Sequence, residues 1–157
     1  MEPKTIFENL FFSTVRIEAY NEGINSSTGT AFIYIVSTDE IERNNAFFLV
    51  TNKHVVQGFQ KGRLTFHEKK NNNESSVGKI NLELDNFSNL WYFHKDEQID
   101  IAIMPLVPIM EDIKSEFDKE IFYKAIPDFI LMKKSDENNY DAFENIYFIG
   151  YPAGLWD

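Results

Sequence analysis

His54 and Asp100 are the two side chains whose types and surroundings in the sequence could transfer a proton. His54 lies in LVTNKHVV, residues 49–56, where an apolar run ends in polar residues, and Asp100 lies near the start of IDIAIMPL, residues 99–106. An imidazole with an ordinary pKa of about 6.5 can remove a proton and return it near neutral pH. A carboxylate beside the imidazole fixes its tautomer and stabilises the imidazolium that forms.

The segments around these two residues predict short antiparallel β-strands joined by turns. Apolar and polar residues alternate within several of them, which is the period of a half-buried strand. Their spacing is typical of an all-β barrel or sandwich. We expect His54 at the end of a strand, where a barrel holds its backbone while its side chain faces a cleft. The predicted strands cover residues 15–20, 30–36, 46–52, 62–69, 77–84, 89–95 and 99–106.

The pattern changes near Val107, where we place the boundary between two modules, 1–107 and 108–157. Residues 107–122 combine an early proline with apolar residues at helical spacing, which indicates a short amphipathic helix. A polar loop is expected at 133–141 and a strand at 144–154, ending in a Gly-Tyr-Pro turn. A short helix is expected near residues 4–12.

Composition narrows the classes of function. The formal net charge of −10 repels nucleic-acid phosphates, so we expect no nucleic-acid partner. The absence of cysteine excludes a disulfide scaffold and a thiolate nucleophile. No apolar run reaches about 18 residues, so we expect no membrane span. The first residues contain no long apolar segment, so we expect no signal peptide and a cytoplasmic protein.

Several segments, in order, resemble the trypsin-like serine peptidases of the chymotrypsin fold, above all their bacterial, disulfide-free branch. TGTAF, residues 28–32, is similar to the family's glycine-containing second-strand motif, with Ala31 where many relatives carry a second glycine. LVTNKHVV is similar to the histidine motif and IDIAIMPL to the aspartate motif. IYFIGYPAGL, residues 146–155, looks like the strand before the nucleophile loop.

This resemblance implies a complete first chymotrypsin-like β-barrel and an incomplete second one. It implies that His54 is the general base and Asp100 its orienting partner, in hydrolysis of peptide bonds by a Ser-His-Asp mechanism without a cofactor. No Gly-x-Ser-Gly loop follows Asp100, and a two-barrel domain usually needs about 200–250 residues. We therefore expect no peptidase activity from this polypeptide alone. A complementary chain or a C-terminal portion would carry the nucleophile serine and act on a protein or peptide substrate.

Two other interpretations of the same residues stay open. A zinc site built from His54, His67, His94 and Asp100 is conceivable, although their spacing offers no close ligand pair. Both His67 and His94 are expected to be solvated residues on the polar face of strands. The chain could also be a non-catalytic β-barrel interaction module, in which strands after residue 107 pair with another chain.

Overall fold

The chain forms a mostly antiparallel β-sheet with a small number of helices. The computed structural model describes residues 3, 5–22, 26–37, 45–70, 75–131, 133, 135 and 147–151. Three α-helices lie in this part of the chain: α1 (Ile6–Phe11), α2 (Lys53–Val56) and α3 (Leu106–Phe117). The strands are β1 (Thr14–Tyr20), β2 (Ser26–Ser37), β3 (Asn45–Thr51), β4 (Lys61–Lys69), β5 (Ser75–Asp85), β6 (Tyr92–Phe93), β7 (Ala102–Pro105), β8 (Ile121–Phe122) and β9 (Ile126–Pro127).

Seven of these strands follow one another in the order β5-β4-β1-β2-β3-β7-β6, with antiparallel neighbours throughout. Strands β8 and β9 extend the sheet beyond the start of β1. Strand β8 pairs with β4, and β9 pairs with β2 in the one parallel pairing among the described strands. Within the described residues the sheet is not closed, because β5 and β6 end it without pairing to each other. The antiparallel β-fold is thus confirmed, while the chymotrypsin-like barrel stays a prediction.

Alternation along the strands places one face of the sheet in an apolar core. Ile17, Ile33, Leu49 and Leu64 are fully buried, and each has a more exposed residue on either side of it in the sequence. This is the pattern expected when successive side chains of a strand point to opposite faces. The core therefore lies on one side of β1–β4, and the opposite side of these strands is open to other contacts.

Helix α3 is the predicted helix after residue 107, and it ends earlier than predicted. Its Leu106, Ile109 and Ile113 are buried in the same core as the strands. The helix ends where Asp118 adopts a left-handed conformation with φ of 52°. The boundary between modules near Val107 stays a prediction, and the described residues on both sides of it share one core.

Two other predicted elements differ from the structure. The expected strand at 89–95 is reduced to β6, because residues Phe87–Leu90 form a 3-10 helix that begins after Asn86 in the left-handed region. Phe87 is fully buried over Gly62, where any Cβ would collide with the Phe87 ring. The buried position of this ring requires a tight turn at residues 86–90, and β6 is therefore shorter than the predicted strand. Residues 147–151 form no strand, and the rest of the predicted strand at 144–154 lies outside the described residues.

Candidate functional site

His54 lies in a single helical turn that directly follows β3, rather than at the strand end itself. Strand β3 finishes at Thr51, whose buried hydroxyl donates a hydrogen bond of 2.8 Å to the carbonyl oxygen of Thr30. The chain then enters α2, in which Val55 and Val56 are buried while His54 is exposed. The two valines after the histidine therefore anchor the turn in the core and leave the imidazole at the surface.

Gly29 on β2 makes the room that α2 needs. A Cβ at position 29 would lie 2.6 Å from Cγ1 of Val55, closer than real Cβ contacts allow. The Gly29 backbone and the Val55 side chain are thus in contact because position 29 has no side chain. The glycine of the TGTAF segment is explained by packing beneath the histidine turn.

Asp100 lies in the loop between β6 and β7, at the same edge of the sheet. Strand β7 pairs with β3 from Thr51 to Phe48, so the residues before β7 arrive beside the end of β3. The N–H of His94 donates a hydrogen bond of 3.0 Å to the carbonyl oxygen of Ile101, which closes the base of the loop. This topology brings Asp100 to His54 across 46 residues of sequence.

The His54 and Asp100 side chains are in direct hydrogen-bond contact. The Nδ1 atom of His54 lies 2.5 Å from Oδ2 of Asp100. The backbone N–H of His54 donates a second hydrogen bond, of 3.1 Å, to Oδ1 of the same carboxylate. An ionised carboxylate only accepts hydrogen bonds, so this contact requires the proton on Nδ1. In neutral His54 the Nε2 atom then carries the free lone pair, the arrangement that a general base needs.

The charge of Asp100 is stabilised by these donors. The hydrogen bond from the His54 side chain is the largest cause that holds the pKa of Asp100 below its ordinary value. Desolvation opposes it, and the smaller effect of the His54 backbone N–H lowers the pKa further. Side-chain exposure is 71% for His54 and 44% for Asp100. Among the described residues no group donates to or accepts from Nε2.

The other two histidines lie away from this pair. His67 is on β4 as predicted, but the expectation that it is solvated is wrong, because its ring packs against Phe11 and Phe12 with centroids 5.0 Å apart in both cases. Burial lowers the pKa of His67. His94 is exposed in the loop after β6, and its Nδ1 accepts a hydrogen bond from the Asp96 N–H. In the part of the chain that the structure describes, no three His, Asp or Glu residues gather where a metal ion could bind.

Gly150 and Tyr151 pack against Thr30 of β2, while Tyr147 and Phe148 are exposed. The N–H of Tyr151 donates a hydrogen bond of 2.7 Å to the hydroxyl oxygen of Thr30, and the Tyr151 ring is buried. A Cβ at Gly150 would lie 2.7 Å from the same hydroxyl oxygen, so this glycine permits the close approach. Burial also raises the pKa of Tyr151. The described part of the IGYPAG segment therefore lies against β2, on the strand that also contains Gly29, and Pro152 lies outside the described residues.

An apolar cleft of about 340 Å³ lies over the open side of β2, β3 and β7 and includes Ile101, the residue after Asp100. Ile101 lines it directly after Asp100, and its side chain is substantially exposed. The cleft is lined almost wholly by apolar side chains, which suits a partner that presents apolar side chains of its own. Its residues are Phe32, Tyr34, Val36, Phe48, Val50, Ile101, Ile103 and Leu131.

Two neighbours of His54 that sequence reasoning did not single out also contact the Asp100 loop. The amide of Asn52 donates a hydrogen bond of 2.9 Å to the carbonyl oxygen of Asp100. The Nζ of Lys53 donates one of 2.7 Å to the carbonyl oxygen of Asp96. No local pattern in the sequence marks these two residues, because the acceptors of their hydrogen bonds lie in a loop more than 40 residues away.

Comparison of the chain with models of known families, with curated proteins and with solved structures found no match in any of the three. The resemblance to trypsin-like peptidases therefore depends on the sequence segments described above. Across the described residues, no helix has the length and apolar character needed to cross a membrane.

Proposed function

We propose that this chain carries the general-base half of a trypsin-like serine endopeptidase site. In this proposal His54 removes the proton from a serine hydroxyl and later donates it to the leaving amine. Asp100 holds the tautomer with the proton on Nδ1 and stabilises the imidazolium. The reaction is acyl transfer from a peptide bond to serine and then to water, and no cofactor is needed.

The observation that carries the proposal is the double hydrogen bond between His54 and the Asp100 carboxylate. One carboxylate oxygen accepts from the imidazole and the other accepts from the backbone of the same residue. A chance surface contact between two charged groups gives no reason for the second bond, which fixes the carboxylate relative to the main chain of His54. In this proposal the Nε2 atom, on a side chain that is 71% exposed, accepts the proton of the serine hydroxyl.

In this proposal the nucleophile is not a serine of this sequence, because none of its serines stands in a Gly-x-Ser-Gly loop. Ser13 and Ser115 donate their hydroxyls to nearby carbonyl oxygens, and Ser88 accepts from the N–H of Gly58. These contacts hold the three hydroxyls in loops and helix ends. We propose that a complementary chain or a further segment supplies the serine and the oxyanion-binding N–H groups. The apolar cleft beside Asp100 would then contact side chains of a peptide substrate.

Fluorophosphonate labelling in the cells that make the protein tests this proposal. The tagged chain is isolated with everything bound to it, treated with a fluorophosphonate that reacts with activated serine hydroxyls, and assayed for casein cleavage. Wild-type material is expected to be labelled and to cleave casein. His54→Ala and Asp100→Asn should lose most of both signals, since the base and its orientation each contribute orders of magnitude to the rate.

His94→Asn is the matched control, because it removes an exposed histidine outside the pair while an asparagine oxygen can still accept from the Asp96 N–H two residues on. It should be labelled like the wild type. Equal labelling of His54→Ala and wild type would contradict the proposal. Absence of labelling in the wild type would also contradict it, and would favour the non-catalytic interaction module. The purified 157-residue polypeptide by itself is expected to show neither labelling nor cleavage.

A further inference from the structure

The turn that carries His54 is tied to the loop that carries Asp100 at several points besides the imidazole. Three consecutive residues of the turn, Asn52, Lys53 and His54, each donate a hydrogen bond into the loop 96–100. The acceptors are spread over both ends of the loop. The bonds from Asn52 and Lys53 require neither the imidazole nor the Asp100 carboxylate, so they hold the loop independently of the pair.

Asn52 holds the main chain of Asp100 itself. Its amide nitrogen lies 2.9 Å from the Asp100 carbonyl oxygen, while the Asp100 carboxylate accepts from His54. One residue of the loop is therefore held by its backbone and by its side chain to two successive residues of the turn. With the backbone position fixed, the Asp100 side chain has few ways to leave the imidazole.

Lys53 holds the other end of the loop. It is only 9% exposed, and its Nζ donates to the Asp96 carbonyl oxygen at 2.7 Å. Among the described residues no carboxylate lies within 4.0 Å of this ammonium. Burying an ammonium group is costly unless it is hydrogen bonded. Loss of the bond to Asp96 would therefore leave a buried charge without a partner and destabilise the fold.

The loop has few other restraints. Its residues Lys95, Asp96, Glu97 and Gln98 are all exposed. The remaining described bonds of residues 96–99 are local ones, such as the N–H of Gln98 donating to the Asp96 side chain at 2.9 Å. Local bonds shape a loop but do not fix it against the rest of the molecule. Exposed loops with few buried contacts open readily.

We propose that Asn52 and Lys53 are positioning residues that hold the 96–100 loop on the histidine turn and so keep the Asp100 carboxylate on the His54 imidazole. The inference deepens the proposed function and depends on it for its catalytic meaning. Neither residue touches a substrate, and both act through Asp100. The turn and its partner loop then move as one unit.

Nuclear magnetic resonance on the 157-residue chain tests this without any activity. Two signals report on the pair: hydrogen exchange of the His54 backbone amide, which donates to Asp100, and the pH titration of the Asp100 carboxyl carbon. In Lys53→Met and Asn52→Ala the amide is expected to exchange about 2- to 10-fold faster, the effect of losing one hydrogen bond. The Asp100 titration should move upward toward the ordinary value.

Lys95→Met is the matched control, because it removes the same charge from an exposed lysine of the same loop. Neither signal should change in it. If Lys53→Met does not fold, Asn52→Ala decides the question, since Asn52 is exposed and its replacement leaves the core intact. The proposal would be overturned if Asn52→Ala and every folded Lys53 variant kept the amide exchange rate and the Asp100 titration of the wild type. If the Asp100 titration shifts in the variants but the native protein is not labelled by the fluorophosphonate, the positioning role of Asn52 and Lys53 stands and the peptidase function is rejected.

Discussion

The carboxylate of Asp100 accepts hydrogen bonds from both the imidazole and the backbone N–H of His54, although 46 residues separate the two in sequence. The bond to the backbone fixes where the carboxylate lies, and the bond to Nδ1 fixes which ring nitrogen carries the proton. Together they leave a lone pair on Nε2 at an exposed surface. The chemistry proposed for the site follows from this pairing.

Hydrolysis of an activated ester tests the reactivity of His54 without a serine. The free Nε2 attacks the acyl carbon of p-nitrophenyl acetate, p-nitrophenolate leaves, and water hydrolyses the acyl-imidazole. His54→Ala is expected to lower the protein-dependent rate about tenfold or more, because the oriented imidazole is then gone. The release of p-nitrophenolate, followed by absorbance, gives the rate.

His94→Ala is the control for this assay, since His94 is exposed but outside the pair. Its rate should stay close to that of the wild type. Equal losses from His54→Ala and His94→Ala would mean that His54 reacts as an ordinary surface histidine.

Gly29→Ala should destabilise the fold by about 1–3 kcal/mol, the usual effect of an extra methyl group in a packed region. The new Cβ would meet Val55, which anchors the histidine turn. Val55→Ala in the same chain should restore part of the loss, because it removes the atoms that collide. Urea unfolding of the two single variants and the double variant measures this coupling. Strictly additive effects would show that the two positions do not meet.

The free energy of unfolding should fall as the pH is lowered below about 6.5, because His67 is buried in the folded chain. This decline should begin at a higher pH than the titration of the carboxylates. Burial, with a smaller effect of Lys79, lowers the pKa of His67 in the folded chain, so the unfolded chain binds the proton more readily. The contribution of neutral His67 to stability is fully present above the ordinary histidine pKa of about 6.5 and is lost as the pH falls from there toward the lowered folded value. Urea midpoints between pH 7.5 and about 5 should therefore decline.

His67→Phe should flatten this decline, because phenylalanine keeps the ring between Phe11 and Phe12 without a titrating group. His94→Gln, which removes an exposed histidine, should leave the decline unchanged. A decline of equal size in His67→Phe would assign it to other groups.

The pairing of His54 with Asp100 was predicted from the resemblance to trypsin-like peptidases, and the strands beside the two residues were predicted from their own patterns. The apolar runs in 46–52 and 99–106 predicted β3 and a longer version of β7, and the antiparallel pairing of these strands brings the residues next to them together. Helix α3 was predicted from apolar residues at helical spacing, of which Ile109 and Ile113 are buried. In these segments local pattern and tertiary packing agree.

Other features could not be predicted because long-range packing decides them. Helix α2 has four residues, too few for a helical period, and its valines favour strands by propensity. The turn at Asn86 depends on the space that Gly62 leaves for Phe87, a contact between distant segments. The burial of Lys53 depends on a carbonyl oxygen in a loop 43 residues away. Patterns within one segment do not contain such relationships.

The tautomer of His54 tests the central claim most directly. Nitrogen-15 spectra of histidine-labelled protein, recorded at a pH where the imidazole is neutral, distinguish a proton on Nδ1 from one on Nε2. The account predicts the proton on Nδ1 in the wild type, and its partial or full transfer to Nε2 in Asp100→Asn, whose amide can donate to Nδ1. A wild-type imidazole protonated mainly on Nε2, or a tautomer that Asp100→Asn leaves unchanged, would contradict the proposed base and its partner.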